Sequence, residues 1–223
     1  MKTIFRTIAG ALLVGAAGWG GLRADTATYT VSLGPSGSLS STVPFQQFNT
    51  PGYYLSSAKL TLNGTLTGNI LLDNTFNGNN TLATTLSSTI TATPPLANGP
   101  FSITPTVALS PVFGPLSSQT FLSQTDTRFH TSTLTDLNPF LGSGMVKVGV
   151  SGNVGSFSVT PLGGKAGSGS SNQNLQATVT LEYTYYLIPE PAVPASMFLG
   201  FGVAVIGWRQ WQRRRTSSAA VRR

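Results

Sequence analysis

From Leu175 to Tyr185 the chain sets an apolar or aromatic residue at every second position. Leu175, Ala177, Val179, Leu181, Tyr183 and Tyr185 alternate with Gln176, Thr178, Thr180, Glu182 and Thr184. A period of two is the repeat of a pleated strand with one buried and one wetted face, and a helix cannot satisfy it. The same alternation recurs in Tyr29, Val31 and Leu33 against Thr28, Thr30 and Ser32. It returns in Leu60, Leu62 and Leu66 against Thr61, Asn63 and Thr65, and in Val146, Val148 and Val150 against Lys147 and Gly149. Turn clusters separate these runs: Gly34-Pro35-Ser36-Gly37, Asn77-Gly78-Asn79-Asn80, Thr93-Pro94-Pro95, Gly163-Gly164 and Gly167-Ser168-Gly169. No amphipathic helical pattern of about ten residues or more interrupts them. The expected fold class is all-β, an antiparallel, jelly-roll-like β-sandwich of roughly eight to ten strands over residues 25–188.

Composition supports strands and narrows function. The net charge is +7, but most of the basic residues lie at the two ends. Between Asp25 and Ile188 only Lys59, Arg128, Lys147 and Lys165 face Asp25, Asp73, Asp126, Asp136 and Glu182, so the body is close to neutral. A nucleic-acid-binding domain concentrates basic residues on its folded part to neutralise phosphates; this body has no such surplus, and nucleic acid is not an expected partner. The chain has no cysteine and one histidine, which excludes a disulfide framework, a thiol nucleophile and a thiolate or multi-histidine metal site. The 22 Ser and 27 Thr of the body, residues 25–188, suit strands with hydroxyls outward.

The two ends read as addresses. Met1 to Ala24 opens with Lys2 and Arg6, passes through an apolar, Gly-rich run from Ile8 to Leu22, and reaches Ala24 before Asp25. That is the order of a secretory signal peptide over residues 1–24, cleaved after Ala24 by signal peptidase once the secretion machinery has engaged it. At the other end Pro189-Glu190-Pro191 precedes an apolar stretch from Ala192 to Trp208, followed by Arg209 and by Arg213-Arg214-Arg215. The 17 residues of that stretch give about 25 Å as a helix, near the lower limit for one short transmembrane helix over about 192–208. The arginines orient it with its C-terminal side in the cytoplasm, and the body before it outside.

Residues 189–215 resemble the PEP-CTERM sorting signal of Gram-negative bacteria: a Pro-Glu-Pro triplet, a short Gly-containing apolar span and an arginine cluster, behind an N-terminal signal peptide. The resemblance implies an exosortase, a membrane protease, as partner, with Pro189, Glu190 and Pro191 as its recognition motif. It also implies transient residence in the inner membrane. Arg209, Arg213, Arg214 and Arg215 would act as orientation and stop-transfer residues, residues 216–223 as a cytoplasmic tail, and the destination would be the cell surface or extracellular matrix.

Inside the body, Leu134, Leu137, Phe140 and Leu141 break the alternation and are spaced as a short helical turn, with Asp136 near its start. The stretch Asp136-Leu137-Asn138-Pro139-Phe140-Leu141-Gly142-Ser143-Gly144, between strands like those at Thr28–Leu33, Leu60–Thr67 and Val146, resembles the choice-of-anchor E domain. That resemblance covers residues 27–187 and implies a β fold and a surface location, with no catalytic role to carry over.

Candidate chemistry is sparse. His130, in Asp126-Thr127-Arg128-Phe129-His130, would need a carboxylate and a nucleophile on a sharp turn to form a triad, and no Gly-x-Ser-x-Gly occurs. The expectation is that Arg128 and His130 share a solvent-facing side opposite Phe129. Five scattered acids do not suggest the paired carboxylates of a glycosidase, and Glu182 falls on an outward strand position. Asp73-Asn74-Thr75-Phe76-Asn77-Gly78-Asn79-Asn80 offers hard oxygen ligands but lacks the ordered acids of a calcium loop, so it reads as an Asn/Gly turn. No metal, no cofactor and no catalytic residue are expected. Tyr53, Tyr54, Tyr183, Tyr185 and Tyr186 leave a second reading, a carbohydrate-binding module whose partner is extracellular polysaccharide, although strand tyrosines also serve cores and cross-strand pairs.

Overall fold

The structure, a computed structural model, describes residues 23–95 and 98–188. The sorting motif Pro189, Glu190 and Pro191, the apolar span, Arg209, Arg213, Arg214 and Arg215, and the signal peptide up to Leu22 lie outside the described residues. Among the described residues no helix is long and apolar enough to cross a membrane.

The body is all-β and antiparallel. Its strands are β1 (Ala24–Ser36), β2 (Ser38–Gln46), β3 (Tyr53–Asp73), β4 (Asn80–Thr93), β5 (Phe101–Ile103), β6 (Thr106–Leu109), β7 (Val112–Phe113), β8 (Ser118–Leu134), β9 (Met145–Pro161) and β10 (Ser168–Leu187). One sheet runs β1-β10-β3-β8; the other runs β2-β9-β4-β5, with β6 and β7 also on β4. Strands β5, β6 and β7 follow β4 in a single line, opposite Ala92 to Ile90, then Ser87 to Thr84, then Thr81 to Asn80. Pro105 and Pro111 sit at the two interruptions, where a missing N–H breaks the ladder, yet their carbonyls still accept from Ser88 and Leu82 of β4 at 3.2 and 3.1 Å. Counted as one interrupted strand, they leave eight positions in the orders 1-8-3-6 and 2-7-4-5. That is the order of a jelly roll.

The sheets face each other across one apolar core. All six alternating residues of β10, Leu175 to Tyr185, are buried, as are Leu60, Leu62 and Leu66 of β3 and Val146, Val148 and Val150 of β9. Strand β1 follows the same phase, but at the edge its Tyr29, Val31 and Leu33 are only half-buried. Bulges change phase without exposing the core. Leu86 pairs with Phe157 and Ser88 with Val154, so Gly155 and Ser156 together oppose Ser87. Even-numbered residues therefore face inward before this bulge, and odd-numbered Phe157 and Val159 pack on the core after it. In β3, Ser57 pairs with Thr184 and Leu55 with Tyr185, leaving Ser56 extra.

The loop after β8 forms a short 3-10 turn at Asn138–Phe140 rather than a longer helical stretch. Of its spaced apolar residues Leu134 and Phe140 are buried, Leu137 packs against the core, and Leu141 is exposed. Phe140 closes one end of the sandwich, held by Phe48 N–H on the Phe140 carbonyl at 2.7 Å and Gly142 N–H on the Phe48 carbonyl at 3.1 Å.

Candidate functional site

The outer face of the β1-β10-β3-β8 sheet is set by the residues between the core positions, and these are mostly hydroxyls. In register across all four strands stand Thr30, Thr180, Thr61 and Thr131. Thr30–Thr180 and Ser32–Thr178 are hydrogen-bonded at 3.1 Å, Thr61–Thr131 at 2.8 Å and Thr65–Thr127 at 3.0 Å. β-branched residues suit the pleat, and opposed hydroxyls satisfy one another, so the same substitution serves strand formation and the wetted surface. The row beside them carries Lys59 and Glu182, 4.0 Å apart and both partly exposed, which places Glu182 outward as expected.

At one end of this face Tyr54 and Tyr186, paired in register, stack with ring centroids 5.5 Å apart and 22° between planes. Tyr54 remains 44% exposed. The five tyrosines thus divide. Tyr183 and Tyr185 are core residues, and Tyr53 packs against the core at 5.4 Å from the Tyr185 ring. Burial, to which the Tyr29 phenol adds, pushes the Tyr183 phenol well above its usual range. Burial and then the Asp25 carboxylate raise Tyr185.

Arg128 and His130 share one side of β8 opposite Phe129 and both are exposed, as expected, but the register of β8 puts that side on the inner face at the sheet edge rather than on the outer face. Buried Leu134 pairs with Ala58 and fixes the phase, so His130 lies opposite Leu62 and Arg128 opposite Gly64, on the inward side at the sheet edge. Phe129 points outward and is 74% exposed. His130 sits against the Phe101 ring at 5.1 Å. Asp126 is occupied: it accepts from Arg128 Nε and from the Thr106 backbone N–H, both at 2.8 Å. Partial burial opposes its ionisation, yet those donors hold its carboxyl below the ordinary range. Four residues of extended strand also separate Asp126 from His130 by about 13 Å, too far to orient the imidazole. Asp136 accepts from Asn138 N–H at 3.1 Å, fixing the turn. Asp25 and Glu182, three residues apart in register, lie on opposite faces of their sheet.

The Asp73–Asn80 loop is organised by asparagine. Asn74 is buried; its Nδ2 donates to the carbonyls of Gly78 and Gly114 at 2.9 and 2.6 Å, and its Oδ1 accepts from Phe76 N–H and Asn80 Nδ2 at 3.1 and 3.2 Å. Lys165 places its ammonium on the Asn79 carbonyl at 2.5 Å, a charge that opposes a second cation. Among the described residues no three His, Cys, Asp or Glu side chains converge on a metal position.

Two polar anchors escape sequence reasoning. Asn98 is buried and accepts from Thr135 and Asp136 N–H at 2.8 and 3.1 Å while donating to the Asp136 carbonyl at 2.9 Å. Gln47 donates to the Pro139 carbonyl at 2.8 Å and accepts from Gly144 N–H at 2.9 Å. Together they pin the loop from Asp136 to Gly144 from both sides. A lone Asn or Gln in a loop carries no pattern that announces this. On the other sheet a shallow depression of about 360 Å³ is lined by Ser40, Thr42, Thr93, Gly149 and Ser151, with no titratable group to drive chemistry.

No family model and no curated protein matches the chain. Among solved structures, one of Desmodium yellow mottle tymovirus is 10% identical with a TM-score of 0.26, covering 82% of this chain and 98% of its own. One of turnip yellow mosaic virus, an empty head, is 9% identical with a TM-score of 0.22, covering 84% and 94%. One of infectious bursal disease virus, Gx strain, is 10% identical with a TM-score of 0.19, covering 84% and 49%. Likenesses this distant carry no argument, and the jelly-roll assignment rests on the strand order itself.

Proposed function

We propose that this is a non-enzymatic exported protein of the cell surface or extracellular matrix, sorted by an exosortase through Pro189-Glu190-Pro191 after passage through the inner membrane. The observation that carries the reading is the order of three C-terminal features, triplet, apolar span and arginine cluster, behind an N-terminal signal peptide. The strand boundaries support it. β1 begins at Ala24 and β10 ends at Leu187, so both proposed addresses flank the β body, and cleavage after Ala24 would cost one register pair, Ala24 with Tyr186. In this reading the body is a choice-of-anchor E-like domain. The occupied Asp126 and the separation of its carboxylates support a role without catalysis.

Glu190→Ala tests the proposal. A plain membrane helix depends on total apolarity and flanking charge, so the substitution leaves its retention unchanged. A protease that reads the triplet loses its one ionic contact there. In a host with the cognate protease, the parent chain is expected to be released with a mass running from near Asp25 to near residue 190. The Glu190→Ala chain is expected to remain full-length in the inner membrane. Equal release of both chains, or release with Arg213 to Arg223 intact, overturns the proposal.

The exposed Tyr54–Tyr186 stack beside a hydroxyl face favours a second reading, a carbohydrate-binding module for extracellular polysaccharide. Aromatic faces pack against sugar rings, and neighbouring hydroxyls match their polar edges. Retention on immobilised exopolysaccharide is expected to fall at least about tenfold in Tyr54→Ala, the scale of losing one 1.4 kcal/mol contact. Retention equal to the parent removes this reading and leaves the sorting proposal standing.

A further inference from the structure

The jelly roll has four sheet edges, and an unprotected edge offers a row of unpaired N–H and C=O groups to another strand. Three edges carry guards. The β5–β7 edge is broken at Pro105 and Pro111. β2 is nine residues long and contains Pro44. β8 shifts register between Gly68 and Ile70 of its partner, holds Ser123 at φ 51°, and carries the Asp126–Arg128 ion pair. β1 holds its proline, Pro35, and its register shift only beyond Leu33, and has none of these guards from Thr26 to Leu33. Its register with β10 runs unbroken from Ala24 to Leu33, and among the described residues no strand pairs with its other side.

The sequence of that edge is complementary to itself. Antiparallel pairing about a two-fold axis at Tyr29 sets Thr28 opposite Thr30 and Thr26 opposite Ser32 on the outer face. On the inner face it sets Ala27 opposite Val31, and Asp25 meets Leu33 rather than another acid. The hydroxyl pairs this creates repeat those already joining β1 to β10 at Thr30–Thr180 and Ser32–Thr178. The inner side is also unfinished. Ala27, Tyr29, Val31 and Leu33 are half-buried, whereas their β10 partners Tyr183, Leu181, Val179 and Ala177 are fully buried. We propose that the β1 edge docks a second copy of this chain in an antiparallel β1–β1 pair, joining two four-stranded sheets into one continuous sheet. The inference stands apart from the sorting reading and needs none of its steps.

The absence of native cysteine makes the test direct. Full-length chains carrying Thr28→Cys, Thr30→Cys or, on the far edge, Thr131→Cys are purified, mixed in pairs and oxidised. Opposed Cβ atoms in such a pair lie about 5 Å apart and diagonal ones about 7–8 Å. The mixture of Thr28→Cys with Thr30→Cys is therefore expected to cross-link roughly fivefold faster than either alone, with Thr131→Cys silent. Thr26→Lys together with Ser32→Lys, on the exposed face, is expected to suppress that cross-link while the far-UV circular dichroism of a folded β protein is retained. No cross-link at the β1 cysteines, equal cross-linking at Thr131→Cys, or a disulfide only to a different protein overturns the proposal.

Discussion

The Tyr183 ring is fully buried and meets Tyr29, Phe48 and Phe140 edge-on at 5.9, 6.0 and 6.4 Å, while its hydroxyl donates to the Gln46 carbonyl at 2.9 Å. It ties the last strand to the end of β2 and to the Phe140 plug. Tyr183→Phe keeps the ring contacts and removes the donor, so it is expected to lower unfolding free energy by about 1–2 kcal/mol, with the denaturant slope unchanged. A loss under about 0.3 kcal/mol in urea titrations shows that the hydroxyl contributes nothing to the closure. Alternation alone places Tyr183 and Tyr185 inside and Tyr186 outside. It fails to sort Tyr53 from Tyr54, because the extra Ser56 inverts the phase between them and Leu60. It fails again at Phe129, where the apolar ring sits outward and a charged and an imidazole side chain occupy the inward edge positions.

Strand β9 shows why elements are more legible than their irregularities. The Val146, Val148, Val150 pattern is plain in the sequence, but nothing in a two-residue period says that the strand continues through a change of phase to put Phe157 and Val159 on the core. The bulge depends on Gly155, where a Cβ would run into the Ser87 carbonyl, a backbone atom that cannot rotate away. Gly149 is its natural control, since a Cβ there meets Thr93 only at ordinary distances of 3.6 and 3.7 Å. Gly155→Ala is expected to destabilise by about 1–3 kcal/mol, lowering the melting temperature by roughly 2–12 °C for a domain of this size. Gly149→Ala is expected to shift it by less than about 2 °C. Equal melting of the two variants in a calorimeter argues against the bulge as the reason for glycine. The β5–β7 line is half-legible in the same sense: the prolines announce interruptions, and only the carbonyls accepting from β4 reveal one strand.

At the scale of the whole molecule, fold class and the antiparallel arrangement follow from the period and the turn clusters. Strand order does not, because a period of two says which face is buried and never which neighbour a strand will take. The hydroxyl face is visible in advance as the Thr positions of each strand, but its four-strand row exists only once β10 lies between β1 and β3. That placement also governs timing. Thr30 and Thr180 stand 150 positions apart, so at about 5–20 residues per second of synthesis roughly 8–30 s pass between them. Until β10 is made, β1 has no partner in its own sheet and β3 has at most β8. The first strand waits for the last, so this sheet closes only when nearly all of the body has been made.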